Sequence, residues 1–225
     1  MVRLQGLELT LKAQSGEVNI LKGIDLKIDE GETIGLVGPS GSGKTSMLMV
    51  MAGLEKATSG EIMVNGHDFT QLNEDALALV RRGGIGIVFQ SFHLIPTMTA
   101  LENVAVPLEL SRQKNANSRA KECLDAVGLA HRLNHFPGQM SGGEQQRVAL
   151  ARAFAPRPKI ILADEPTGNL DGTTGSQIIE ILFDISAREG TTMLLVTHDP
   201  DLAKRCARVI RMEDGCIIED KPSAS

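Results

Sequence analysis

Thr33-Ile34-Gly35-Leu36-Val37 runs without a break into Gly38-Pro39-Ser40-Gly41-Ser42-Gly43-Lys44-Thr45, and this junction decides the fold. A five-residue apolar run bounded by glycine suits a central strand buried on both faces. The eight residues after it have the spacing G-x-x-x-x-G-K-[ST]. Gly38, Gly41 and Gly43 let the backbone wrap its N–H groups around phosphate oxygens, and the helix behind them adds the positive end of its dipole. Pro39, Ser40 and Ser42 fill the rest of the loop, and Ser46 follows it into the helix. In such a loop Lys44 reaches the outer phosphates and the Thr45 hydroxyl ligates Mg²⁺.

Working outward, Leu7, Leu9 and Leu11, then Ile20, Ile24, Leu26 and Ile28, alternate as in half-buried strands, with a turn at Gly16. Residues 44–53 read as helix, and 61–64 as a strand turning at Asn65-Gly66. Residues 73–82 form a second helix, capped by Asn73, and 85–89 another short buried strand. From Thr99 to about Pro156 the pattern changes to helices punctuated by Pro107, Gly128 and Pro137. Strand 159–163, helix 173–189, strand 191–197, helix 199–205 and a hairpin through Asp214-Gly215 follow. Lys221 to Ser225 reads as a frayed tail. Strands interleaved with helices imply an α/β fold in one domain, 1–225. Its core of residues 1–98 and 157–220 carries a mostly parallel sheet with an N-terminal antiparallel β region. A helical subdomain is inserted at about 99–156.

A chain of 225 residues buries roughly 70% of its unfolded surface. Apolar residues at 42% and charged residues at 23% exclude disordered and collagen-like classes. The longest apolar run, Met47 to Leu54, is far shorter than the ~20 residues of a membrane span. The first residues contain no apolar h-region, so export is not expected. Lys and Arg number 23 against 28 Asp and Glu, a net charge of −5 that disfavours a dedicated nucleic-acid binder. The Arg81-Arg82 pair reads as solvated. Cys123, Cys206 and Cys216 are too scattered for a disulfide framework or a zinc site, and read as thiols in a reducing, cytoplasmic compartment.

Two further segments carry chemistry. Lys159-Ile160-Ile161-Leu162-Ala163 is an apolar strand that delivers Asp164 and Glu165 to its carboxyl end, where open α/β sheets bind ligands. Asp164 there holds the Mg²⁺ shell, and Glu165 polarises an attacking water. In Ser141-Gly142-Gly143-Glu144-Gln145-Gln146-Arg147, Ser141 caps a helix, and the two glycines leave N–H groups for a second anion.

The segment Ser141 to Arg147 resembles the signature motif of ABC-transporter ATPases, and the resemblance orders the rest. Gln90, after the strand ending at Phe89, is similar to the Q-loop glutamine that contacts Mg²⁺ and senses a membrane partner. Asp171, in Gly168-Asn169-Leu170-Asp171, is similar to the D-loop aspartate, and His198 to the switch histidine at the γ-phosphate. With Glu165 and Lys44 these are the expected catalytic groups. Ser141, Gly143 and Asp171 join the phosphate loop in nucleotide binding, and Thr45, Gln90 and Asp164 form the metal set. The resemblance runs from Gly38 to His198, and it implies a P-loop NTPase core, ATP and Mg²⁺. It also implies a second copy of the chain, since the signature covers the nucleotide of the partner subunit.

Asp164 to Asp171, Phe89 to Pro96, and Leu101-Glu102-Asn103-Val104 resemble the lipoprotein-release, macrolide-export and cell-division branch of that family. The resemblance implies an integral-membrane permease partner and a peripheral position on the cytoplasmic face of the inner membrane. A nucleotide-gated regulator of a membrane partner, as in the cell-division members, carries the same motifs. Absence of an N-K-x-D motif disfavours a GTPase, and absence of a fused second domain or long coiled coil disfavours the soluble ABC ATPases. One departure stands out. Tyr and Trp are absent and the first of six Phe is Phe69, so the adenine-stacking position in Leu11-Lys12-Ala13-Gln14 has no aromatic. Leu11 or Val18 is expected to touch the base instead.

Overall fold

A computed structural model of the chain describes residues 1–13 and 16–223. In chain order its elements are β1 (Val2–Ala13), β2 (Gly16–Ile28), β3 (Thr33–Val37), α1 (Lys44–Met51), β4 (Ser59–Val64), β5 (His67–Asp68), α2 (Glu74–Gly84) and β6 (Ile85–Phe89). There follow α3 (Ala100–Leu110), α4 (Ala116–Ala126), α5 (Gly142–Phe154), β7 (Ile160–Asp164), α6 (Gly172–Glu189), β8 (Thr192–Val196), α7 (Pro200–Ala203), β9 (Arg208–Glu213) and β10 (Cys216–Pro222). The chain forms two compact units, one of Met1–Arg81 with Thr192–Ser225, the other of Arg82–Thr191.

In the first unit β2, β1, β4 and β5 make an antiparallel sheet. The β1–β2 hairpin departs from simple alternation, because a register shift falls between Leu7, opposite Ile24, and Glu8, opposite Lys22. The extra residue, Gly23, is a bulge that resets the phase of β2. Leu21, at 1% exposure, therefore takes the inward position, and Ile20, expected there, is only half-buried.

Strands β8, β3 and β9 are parallel neighbours, with β10 antiparallel on β9. Ile34, Leu36, Met47, Leu48, Leu194, Leu195, Val196, Ile210 and Met212 are essentially sealed from solvent, each worth about 1.5–3 kcal/mol of burial. The register places Leu36 opposite Val196, so Gly38 and His198 stand two residues past the same ladder pair. The tail expectation is corrected for its described part: Lys221 and Pro222 pair with Val209 and Arg208 inside β10. The cause is Arg208, whose guanidinium grips both carboxylate oxygens of Asp220 at 2.6 and 2.5 Å and reaches Glu32 at 3.1 Å. Residues 224 and 225 of that tail, like Gln14 and Ser15, lie outside the described residues. Arg81 is also more than a solvated charge, since its guanidinium donates to the Gly53 carbonyl.

In the second unit β6 and β7 are parallel, from Ile85 opposite Ile160 to Phe89 opposite Asp164. All five residues of β7 are buried. Thr99 starts α3 with a capping box, its hydroxyl accepting from the Glu102 N–H and its own N–H donating to the Glu102 carboxylate at 2.7 Å. Helix α5 lies against β6 so closely that a Cβ on Gly86 would stand 2.5 Å from the Ala153 carbonyl oxygen and from Ile161 Cδ1. Gly86→Ala is therefore expected to overpack this contact and destabilise the fold by about 1–3 kcal/mol, measured as a lower urea midpoint.

Candidate functional site

In the first unit, the loop between β3 and α1 is shaped as its glycines require. Gly38 has φ 154°, and a Cβ there would collide with the Met212 carbonyl oxygen at 2.2 Å. Lys44 is 8% exposed, and its Nζ donates to the Gly38 and Pro39 carbonyls at 2.9 and 2.8 Å, which fixes the ammonium beneath the loop. No side chain caps α1 at Gly43, and a helix start of this kind presents its first N–H groups to an anion. The Ser42 hydroxyl is buried inside the loop without a hydrogen-bond partner. An enclosed orphan donor and an uncapped helix start fit a phosphate. Thr45 is exposed at the loop's end, with Ser46 half-buried behind it.

His198 is exposed two residues after β8. Buried Thr197 donates its N–H to the Leu36 carbonyl at 3.1 Å, and its hydroxyl accepts from the Asp199 N–H at 3.0 Å. Asp199 caps α7, so His198 stands between two fixed residues. Leu11 and Val18 are direct cross-strand partners and are 38% and 43% exposed, a paired aliphatic patch where an aromatic was missing.

In the second unit, Asp164 ends β7 at 9% exposure, and Glu165 follows with φ 46°. That left-handed backbone is costly for a side chain with a Cβ and marks position 165 as strained. Gln90 comes one residue past Phe89 on the adjacent strand, so Gln90 and Glu165 are the next pair beyond the ladder. The Asn169 amide links to Gln90 twice, donating to its main-chain carbonyl at 3.0 Å and accepting from its Nε2 at 3.1 Å. The chain after Gln90 is held from α5: Arg152 donates to the His93 and Phe92 carbonyls at 2.6 and 2.8 Å. Burial pushes the Arg152 guanidinium down from its ordinary pKa.

The signature segment differs from a bare anion site. Ser141 and Glu144 form a reciprocal capping box at the start of α5, so the Glu144 carboxylate already meets the Ser141 N–H at 2.8 Å. Glu144 also pairs with Arg132 at 2.8 Å. The Ser141 N–H, and next the hydroxyl and Arg132, hold the Glu144 carboxyl below its usual range. Gly143 is buried against Thr174, whose Cγ2 would stand 2.4 Å from an added Cβ. Asp171 caps α6 by accepting from the Thr174 N–H at 3.0 Å, and that bond lowers its carboxyl pKa.

Each unit thus brings part of the expected set to the carboxyl edge of its own parallel strands. The first holds Gly38 to Ser46 and His198; the second holds Gln90, Asp164, Glu165, Ser141, Gly143 and Asp171. Asn169, Arg152 and Gln146 escaped sequence reading. Gln146 and Arg152 stand among other polar residues of α5, and Asn169 beside a glycine, so their roles become visible only once their carbonyl partners are known.

A buried parallel strand, a glycine loop with an enclosed lysine and an uncapped helix define a protein of the P-loop NTPase fold, with a mixed sheet and helices between β6 and β7. Residues 21–168 match the family model described as ABC transporter. The chain is 48% identical over 222 residues to the "Uncharacterized ABC transporter ATP-binding protein YbbA" of Escherichia coli (strain K12), covering 98% of this chain and 97% of that protein. It is 46% identical over 217 residues to the "Lipoprotein-releasing system ATP-binding protein LolD 2" of Caulobacter vibrioides, covering 96% and 95%. The dimeric post-hydrolysis structure of the ATP-binding cassette MJ0796 bound to ADP and Pi superposes with TM-score 0.93 at 41% identity, covering all of both chains. The chain belongs to the ABC transporter family, as one of its ATP-binding subunits.

Two outcomes are expected. The Glu144 contribution to stability is fully present above the ordinary carboxylate range and is lost as pH falls through its depressed pKa. The melting temperature should therefore drop more steeply below about pH 4.5 in the native chain than in Glu144→Gln, which keeps a capping acceptor but does not titrate. With Leu11 and Val18 as the expected contacts to the base, ATP and GTP should turn over at similar rates. Leu11→Tyr should tighten ATP binding by about 1–3 kcal/mol in calorimetry, and a strong native preference for ATP would count against the Leu11–Val18 contact.

Proposed function

We propose that this chain hydrolyses ATP at the interface of a head-to-tail pair with a second copy of itself, and thereby drives an integral-membrane permease of the lipoprotein-release or macrolide-export type. One observation carries the reading. A single chain supplies one phosphate loop, one strand-end Asp164-Glu165 pair and one Ser141 signature, so two complete sites need two copies. The dimeric structures of MJ0796, similar over their full length, support the pairing, and the names of the LolD relatives support the lipoprotein-release branch. The work is done at the cytoplasmic face of the inner membrane. Among the described residues no helix is long and apolar enough to cross a membrane, which fits a separate permease subunit.

In this reading residues 1–225 form one ATP-binding domain, with the helical subdomain at about 99–156. The loop from Gly38 to Thr45 cradles the β and γ phosphates, and Lys44 exchanges loop carbonyls for phosphate oxygens. Hydroxyl and carboxylate oxygens of Thr45 and Asp164, with the Gln90 amide, are hard donors of the kind Mg²⁺ takes. Mg²⁺, when bound, neutralises charge on the β and γ oxygens. Glu165 accepts a proton from the attacking water, His198 contacts the γ-phosphate, and the products are ADP and inorganic phosphate. Ser141 and the N–H groups of α5 cover the partner's nucleotide, with Asp171 at the same seam.

Glu165→Gln should retain ATP, lower turnover by about 10²–10⁴-fold and accumulate a dimer in size-exclusion chromatography with light scattering. Full turnover by that variant would remove Glu165 from its role. Lys44→Ala should instead lose about 2–5 kcal/mol of nucleotide binding, read by calorimetry. Affinity purification from detergent-extracted native membranes tests the coupling. A stoichiometric permease with few spans and a large extracytoplasmic domain is expected, and no membrane partner at all would overturn it.

A further inference from the structure

Strands β6 and β7 stay paired as far as Phe89 opposite Asp164 and then separate, with Gln90 and Glu165 the first residues beyond. A main-chain carbonyl at such a fork has lost its ladder partner and, where buried, needs another donor. Gln146 of α5, 0% exposed, supplies it to both chains. Its Nε2 donates to the Pro166 carbonyl at 2.6 Å and to the Phe89 carbonyl at 3.3 Å, one bond on each arm of the fork. The same amide leaves its Oε1 buried without a partner, a cost that an apolar side chain of similar volume would avoid. The two links between Gln90 and Asn169 cross the same fork but are exposed and compete with water.

We infer that Gln146 is a positioning residue for hydrolysis. It clamps the chain at Gln90 and the chain at Glu165 at one separation, and it transmits any shift of the signature helix α5 to both together. Side chains on either arm then move as a pair, so alignment of the water-polarising carboxylate depends on a fully buried amide. The kinetic part rests on the proposed roles of Gln90 and Glu165; the clamp itself does not.

The test uses the full chain, with hydrogen-exchange mass spectrometry and steady-state Mg²⁺-ATP kinetics on Gln146→Leu and Gln146→Met. Both variants fill the space without a donor. Amides of 90–94 and 165–170 should exchange faster together, while those of 38–45 stay unchanged. Turnover should fall by about ten- to a hundred-fold with KM for ATP within about two-fold. Unchanged exchange in the two segments, or faster exchange spread evenly over the whole unit, overturns the clamp. Faster paired exchange with unchanged turnover overturns the positioning role. If the native chain shows no ATPase activity, the proposed function fails and the exchange result alone judges the clamp. If neither variant folds, exchange of the native chain decides: a shared opening of the two segments supports the clamp, and independent openings overturn it.

Discussion

Within each unit one ladder of parallel main-chain hydrogen bonds, β3 with β8 in the first and β6 with β7 in the second, fixes where the candidate residues leave the sheet. Leu36 lies opposite Val196, and Phe89 opposite Asp164. Parallel pairing sends both strands of each pair toward the same edge, so residues from distant parts of the sequence arrive there together. Gly38 and His198 are separated by most of the chain yet leave one edge side by side; Gln90 and Glu165 do the same at the other. All five residues of β7 are buried, and Asn169 and Gln146 bridge the chain beyond it to the chain at the end of β6.

Helix starts in this chain divide the labour. Those of α3, α5 and α6 are capped by their own side chains, Thr99, Ser141 and Asp171. Helix α1 has no such cap and begins at the loop that encloses Lys44. A capped start contributes about 1 kcal/mol to the fold; α4 also lacks a side-chain cap, and of the two only α1 joins that to a glycine loop. The signature helix sits between these cases, because its capping box answers the N–H groups of Ser141 and Glu144 while Ser141 remains exposed.

Much of this was legible in the sequence where a local rule and a buried environment agree. The strand at 85–89, the Asn73 cap and the strand delivering Asp164 follow from short apolar runs and turn chemistry alone. Phase errors arose where one residue broke a period, as the Gly23 bulge did by exchanging Leu21 for Ile20. The C-terminal residues Lys221 and Pro222 looked like a tail because their order comes from Arg208, a partner that only the folded chain brings near. Gln146 and Arg152 were hidden for the same reason, since helical periodicity says which face is buried but not which carbonyls wait there.

The left-handed backbone at Glu165 has a consequence for engineering. Only Gly and, less readily, Asn or Asp accept φ near 46° without penalty. A screen for thermal resilience, blind to turnover, would rank Glu165→Gly among its gains and discard the carboxylate with it. Glu165 is thus a position where an assay of folding and an assay of turnover would select opposite residues.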